Sequence, residues 1–131
     1  MRGIDTNVLV RLVTRDDSRQ FRRVQEFLEA RFAAGDPVLV NVIVLCETVW
    51  VLRSSYGIPR REIAAALDQI LGVAGLVIED RDQVAAAIDA YRRGPGDFAD
   101  YLLGERNREA GCVSTATLDR RLKSASAFEL V

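Results

Sequence analysis

Short runs of apolar and β-branched residues alternate along this chain with amphipathic stretches of ten or more residues. The runs are typical of buried strands, and the longer stretches repeat apolar side chains at helical spacing, as Phe21, Val24 and Leu28 do. Strands separated by helices of this length imply βαβ crossovers, so we predict an α/β fold with a parallel β-sheet and helices on both faces. The predicted strands cover residues 2–4, 38–40, 76–78, 112–114 and 128–131.

Several turn and cap signals punctuate the predicted helices. Asp5-Thr6-Asn7 is predicted as a turn that ends the first strand, and Asn41 is a suitable N-cap. Gly94-Pro95-Gly96 is the strongest turn signal in the chain. The predicted helices cover residues 17–34, 42–54, 81–93 and 98–110, and a further one begins at residue 58 and ends near Gly72 or Gly75.

Composition limits the class of protein. With 131 residues, 49% of them hydrophobic, the chain can bury one core, so we predict a single domain over residues 1–131. No apolar run reaches the length of a membrane span and the N-terminus does not suit a signal peptide, so we expect a soluble cytoplasmic protein with no membrane partner.

A net charge of −1 provides no bulk attraction to nucleic acid. Cys46 and Cys112 lack the spacing of a metal or redox motif, and we expect buried, reduced thiols.

Four acidic residues stand out against this background. Glu47 is the only charged residue in the apolar run 38–52, where burying a carboxylate without a partner would be expensive. Asp5 follows the first predicted strand, Asp100 lies in the first turn of a predicted helix, and Asp119 follows Thr115-Ala-Thr117-Leu. The chain has no histidine, which excludes Ser-His, Cys-His and histidine-ligated zinc chemistry. An all-oxygen ligand set favours magnesium or manganese.

The predicted topology would bring acids from distant parts of the sequence to one rim, because ligands bind beyond the carboxyl ends of parallel strands. Clustered carboxylates repel one another, so we expect metal binding and raised pKa values for some of them. Thr115 and Thr117 could orient these carboxylates as neighbouring hydrogen-bond donors. Arg120-Arg121 could hold phosphate oxygens beside a metal or be ordinary surface charge.

Each acid also has a structural interpretation. Asp5 and Asp119 could cap helices, and Glu47 could be an exposed notch on a mostly buried helix or a partner for an arginine. Asp97 and Asp100 form a capping-box pattern, in which Asp100 could cap the helix and ligate a metal together. By their spacing, two aromatic residues are predicted at core positions and not as base-stacking platforms; they are Trp50 and Tyr101.

Four segments carry a resemblance that covers the whole chain in order. They are IDTNVLVRL at residues 4–12, the isolated Glu47, GDFADYLLG at residues 96–104 and TLDRRL at residues 117–122. Together they resemble the PIN-domain family and, more narrowly, the VapC-type toxins of toxin–antitoxin pairs. One departure is Tyr101, where many members have a smaller residue; its ring could narrow the pocket or pack away from it.

The resemblance implies a magnesium- or manganese-dependent endoribonuclease, a hydrolase of RNA phosphodiester bonds. It maps the family's catalytic acids onto Asp5, Glu47, Asp100 and Asp119, and its supporting polar positions onto Asn7 and Thr117. We assign Asp5 and Asp100 as the primary metal ligands. The resemblance further implies a homodimer and a VapB-type antitoxin as protein partner. The alternative is a PIN-fold module that binds protein or RNA with little catalysis.

Overall fold

The computed structural model describes all residues from 1 to 131. They form two compact units, an N-terminal unit of residues 1–80 and a C-terminal unit of residues 81–131, and each is described by itself. None of the helices combines the length and the apolar character needed to cross a lipid bilayer.

The N-terminal unit is built on a parallel three-stranded sheet in the order β1-β2-β3. Strand β2 lies in the middle, and Val38 and Val40 are wholly buried, which explains their β-branched side chains. The prediction of a parallel α/β arrangement is confirmed here, with two helices in each crossover. The elements are β1 (Arg2–Gly3), α1 (Thr6–Thr14), α2 (Ser18–Ala33), β2 (Val38–Val40), α3 (Val42–Ser54), α4 (Arg60–Leu71) and β3 (Leu76–Ile78).

Helix α1 was not predicted, because the Asp5–Asn7 segment was interpreted as a turn. Asp5 caps this helix, accepting a hydrogen bond of 3.0 Å from the backbone N–H of Val8. Leu9 and Val10 are buried, and α1 packs against α2 and α3. The helix ends at Arg15, which has a left-handed backbone conformation with φ of 54°. Its nine residues depend on this cap and on packing, since isolated helices of that length are marginal.

Helix α3 begins and ends where the sequence predicts. Asn41 is its N-cap, accepting from Val44 N–H at 2.9 Å, and Glu79 Oε1 accepts from Val42 N–H at 3.0 Å. Glu79 follows β3, and its carboxylate satisfies a backbone N–H at the start of this helix. The helix buries one broad face, which includes Leu45, Val49 and Leu52.

The opposite side of α3 carries an exposed stripe. Ile43 and Trp50 are 64% and 62% exposed, and Glu47 lies between them at helical spacing. The prediction of a core position for Trp50 is therefore wrong. Glu47 is exposed rather than buried, so the desolvation argument for it does not hold, and the exposed-notch interpretation describes its position.

The C-terminal unit contains two packed helices and a parallel two-stranded sheet, β4-β5. The fourth strand was predicted at residues 112–114, which is wrong by three residues. Cys112 and Val113 are exposed, and the strand pairing starts at Thr115, whose N–H donates to Ala127 O. Exposure of Cys112 also contradicts its predicted burial, while Cys46 is half-buried. The elements are α5 (Arg81–Arg93), α6 (Phe98–Glu109), β4 (Thr115–Thr117), a 3₁₀ turn (Arg120–Leu122) and β5 (Phe128–Leu130).

Tyr101 packs inward against the turn that joins α5 to α6. Its ring is 7% exposed, and its hydroxyl oxygen accepts a hydrogen bond of 3.0 Å from Gly96 N–H. A Cβ atom at Gly94 would collide with the Tyr101 hydroxyl, and one at Gly96 would collide with Leu122 and crowd the Tyr101 ring, which explains why glycine flanks Pro95. The predicted core position of Tyr101 is confirmed, and its ring supports the turn that presents Asp97 and Asp100.

Candidate functional site

The N-terminal unit joins two of the candidate acids through Thr6. Asp5 is exposed at the start of α1, where Oδ1 caps the helix. The next residue, Thr6, donates from its hydroxyl to Glu47 Oε2 at 2.8 Å. Because α1 packs on α3, this hydrogen bond ties the helix that Asp5 begins to the exposed carboxylate of α3. Asp5 and Glu47 thus belong to one local arrangement.

A cavity of 560 Å³ opens beside Asp5 and Asn7 in the same unit. Its wall is largely apolar and is formed by β1, α1 and α2, with Phe27 partly exposed within it. Arg11 and Arg23 add positive charge to its lining. Arg11 is engaged with Asp16 and the Tyr56 hydroxyl, whereas the exposed Arg23 makes no ion pair.

In the C-terminal unit, Asp97 and Asp100 form the predicted capping box at the start of α6. Asp100 Oδ2 accepts from Asp97 N–H at 3.2 Å, and the Asp97 side chain lies against the backbone N–H of Asp100. Both carboxylates are about one-third exposed, at 33% and 34%. The helix N-terminus favours negative charge here, so the fold itself stabilises two adjacent carboxylates.

Asp119 is held by a bidentate pair with Arg121. Arg121 Nη2 lies 2.7 Å from Oδ2 and Nε lies 3.1 Å from both carboxylate oxygens, while Arg121 N–H donates to Oδ1 at 2.9 Å. Thr117 Oγ1 accepts from Asp119 N–H at 3.0 Å and so orients the backbone that carries this acid. Thr115, by contrast, accepts from the Asn107 side chain at 2.9 Å and does not contact the acids.

Arg121 also changes the titration of Asp119. The side-chain hydrogen bond from the guanidinium, followed by the backbone N–H of Arg121, holds the pKa of Asp119 below its usual value. This is opposite to the raised pKa expected of a carboxylate crowded by other acids. The pKa of Arg121 is correspondingly raised, chiefly by its hydrogen bond to Asp119.

The donor chemistry suits a hard divalent cation. The side chains that could ligate a metal here offer carboxylate oxygens. The guanidinium of Arg121 already lies near three of these carboxylates, with nitrogen–oxygen distances of 2.7 Å to Asp119, 3.7 Å to Asp97 and 4.0 Å to Asp100. Within either unit, no three acidic or cysteine side chains converge closely enough to hold an ion directly. The three carboxylates are instead spread around a guanidinium, which is broader than a metal ion.

The predicted site residues thus form one group in each unit. Asp5, Asn7 and Glu47 lie on α1 and α3, and a second group lies at the start of α6 and the end of β4; it comprises Asp100, Thr117 and Asp119. The sequence indicated no role for Thr6 beyond a turn, and it left Arg121 either as a phosphate-binding residue or as surface charge, not as a partner of Asp119. The position of Thr6 between two candidate residues and the two-residue spacing of Asp119 and Arg121 are the signals that could have found them.

The chain matches the PIN domain family over residues 4–127, a range that contains all four candidate acids. It therefore belongs to the PIN-domain family, whose fold is generally that of a nuclease. No curated protein and no solved structure matches the chain.

Proposed function

We propose that this protein is a magnesium- or manganese-dependent endoribonuclease that acts as the toxin of a toxin–antitoxin pair. The observation that carries the proposal is the placement of the acids. Asp5 is the N-cap of α1 and is linked through Thr6 to Glu47, and Asp100 lies in the first turn of α6, in the same cluster as Asp119. Such helix starts hold carboxylates in defined positions at low energetic cost.

Each acid has a distinct part in this proposal. A divalent cation bound by these carboxylates would lower the pKa of a bound water and balance the charge that develops on the phosphate. Asp5 and Asp100 are the primary ligands. Glu47 and Asp119 complete the acidic set and orient the water, with Thr6 fixing one carboxylate and Thr117 fixing the backbone of the other.

The cavity beside Asp5 supports a nucleotide as substrate. Its apolar wall, with Phe27 accessible, suits the face of a base, and Arg23 is available to a backbone phosphate. Such local positive charge is needed because the chain as a whole has a net charge of −1.

The toxin role adds two protein partners to the proposal, a second copy of the chain and a VapB-type antitoxin. Ile43 and Trp50 provide exposed apolar surface beside Glu47, and surfaces of this kind are commonly covered by protein partners. The proposal predicts a short neighbouring gene, and expression together with its product should give a stable complex and suppress RNA cleavage in the cytoplasm.

The test of the proposed function is cleavage of a panel of structured RNAs by purified protein free of antitoxin, with and without Mg²⁺ or Mn²⁺. Asp5→Asn and Asp100→Asn proteins, purified identically, control for contaminating nucleases. We expect site-specific cuts that require metal and are lost in both variants. A folded wild-type protein that binds RNA and metal but cuts nothing would instead support the binding module.

A further inference from the structure

Arg121 occupies the centre of the acidic cluster of the C-terminal unit. Its guanidinium lies 2.7 Å from Asp119, 3.7 Å from Asp97 and 4.0 Å from Asp100. The neighbouring residue Arg120 belongs to the same 3₁₀ turn, is exposed and makes no ion pair. The turn therefore directs one of two adjacent arginines onto the acids.

The contact with Asp119 uses the whole carboxylate. Both of its oxygens accept hydrogen bonds from the Arg121 side chain, and Oδ1 accepts from the Arg121 backbone as well. A metal ion needs at least one of these lone pairs at about 2.1 Å, the usual Mg²⁺–oxygen distance. The guanidinium therefore opposes metal binding in two ways: it occupies lone pairs of both carboxylate oxygens, and its positive charge repels an approaching cation.

The same contact keeps the acids apart. Asp97 and Asp100 face the outer nitrogens of the guanidinium at 3.7–4.0 Å, and the three carboxylates do not converge to metal-binding distances. A planar guanidinium several ångströms across separates acids that a much smaller ion would draw together. Movement of Arg121 is thus the step that would let them close on a cation.

We propose that Arg121 is a built-in counter-cation that competes with the divalent metal for Asp119 and Asp100, so that metal loading displaces it from the acidic cluster. This inference rests on the proposed metal-dependent function and adds a control on its metal site. Arg121 acts here through the acids and is a positioning residue. If Arg121 had only a structural role, its removal would change the metal affinity in the opposite direction, because loss of the arginine would loosen Asp119 and weaken metal binding.

The test is the Mn²⁺ affinity of the intact protein, measured by calorimetry at fixed pH and ionic strength. The variants are Arg121→Gln and, as a matched control with the same loss of charge in the same turn, Arg120→Gln. We expect Arg121→Gln to bind Mn²⁺ about two- to fivefold more tightly than wild type, the range expected for removal of a partly exposed ion pair. Arg120→Gln should differ from wild type by less than about twofold.

A second readout follows the arginine itself. In protein labelled with ¹⁵N at arginine, the Nε–H signal missing from the Arg121→Gln spectrum identifies Arg121. Titration of the wild type with Mg²⁺ should shift this signal toward that of a solvated arginine, whereas the Arg120 signal should stay in place. The measurement requires neither RNA nor activity.

The outcomes separate the two proposals. If the wild type binds Mn²⁺ and Arg121→Gln binds it equally or more weakly, competition by Arg121 is wrong and the metal-dependent function stands. If neither the wild type nor Arg121→Gln binds Mn²⁺, the metal site fails and the inference fails with it. If Arg121→Gln binds Mn²⁺ and the wild type does not, competition by Arg121 is confirmed in its strongest form.

Discussion

The hydroxyl of Thr6 donates a hydrogen bond of 2.8 Å to Oε2 of Glu47, across 41 positions of sequence. The bond fixes the carboxylate on α3 relative to the helix that Asp5 begins. Replacing Thr6 with valine keeps the shape of the side chain and removes the donor. We expect Thr6→Val to lower kcat for RNA cleavage about fivefold, because Glu47 is then free to rotate.

Thr6→Ser, which retains the hydroxyl, is the matched control and should stay within about twofold of wild type. Thermal melts of both variants establish that they are folded. Equal activity of Thr6→Val and wild type would show that the orientation of Glu47 has no influence on the reaction.

The cavity beside Asp5 offers a prediction about RNA binding. Arg23 lines it, is exposed and makes no ion pair, while the adjacent Arg22 is exposed outside it. Loss of one phosphate contact weakens binding without altering the reacting groups, so Arg23→Gln should raise KM about three- to tenfold and leave kcat near wild type. The same assay on Arg22→Gln provides the control, and equal effects of the two variants would remove the cavity from the RNA-binding surface.

Thr48 is wholly buried on α3, and its hydroxyl has no hydrogen-bond partner. Burying an unpaired hydroxyl is unfavourable, so Thr48→Val, which keeps the branched shape, should raise the free energy of unfolding by about 1 kcal/mol. Urea denaturation measures the change. Thr48→Ala also removes the hydroxyl but leaves a void, and it should be less stable than Thr48→Val. A Thr48→Val protein less stable than wild type would mean that the hydroxyl has an acceptor.

Asp16 makes the stability of the N-terminal unit depend on pH. Hydrogen bonds from Thr14 and then Tyr56, with the nearby charge of Arg11, hold the pKa of Asp16 below its usual value. A carboxyl with a depressed folded-state pKa stabilises the protein above its unfolded pKa of about 3.9, and this contribution is lost as pH falls through the lower folded-state value.

Melting temperatures of wild type and Asp16→Asn, measured from pH 7 to pH 2, test this account. The wild type should melt higher at pH 7, and the two curves should converge below about pH 4. A difference that stays constant over the whole range would contradict the linkage to ionisation of Asp16.

The parts of the fold that could be predicted from the sequence are those specified by local patterns, namely cap residues and apolar periodicity. Helix α3 has an asparagine cap and a dense apolar face, and its bounds at Val42 and Ser54 are as predicted. Helix α1 was missed because Asp5–Asn7 was interpreted as a turn and because its nine residues are rich in Thr and Val, which have low helix propensity. Its N-cap and its contacts with α2 and α3 stabilise it. Strand β4 was misplaced because its position depends on pairing with β5.

The acids of the candidate site were identifiable from residue type and order, but their surroundings were not. The sequence predicts a capping box for Asp97 and Asp100, and the structure contains it. Glu47 was expected to be costly to bury because its neighbours in sequence are apolar, yet Ile43 and Trp50 share its exposed side. The contact of Arg121 with the acids depends on the path of a 3₁₀ turn, which composition does not reveal.

The most direct test of the metal-dependent nuclease is the single-turnover rate of RNA cleavage by Asp100→Asn compared with Asp97→Asn. The two aspartates share one capping box and asparagine retains a capping oxygen, so both variants should melt close to wild type. The account predicts that Asp100→Asn loses at least about 100-fold in rate and Asp97→Asn less than about fivefold. Equal losses in the two variants, or near wild-type cleavage by a folded Asp100→Asn protein, would contradict the assignment of Asp100 as a metal ligand.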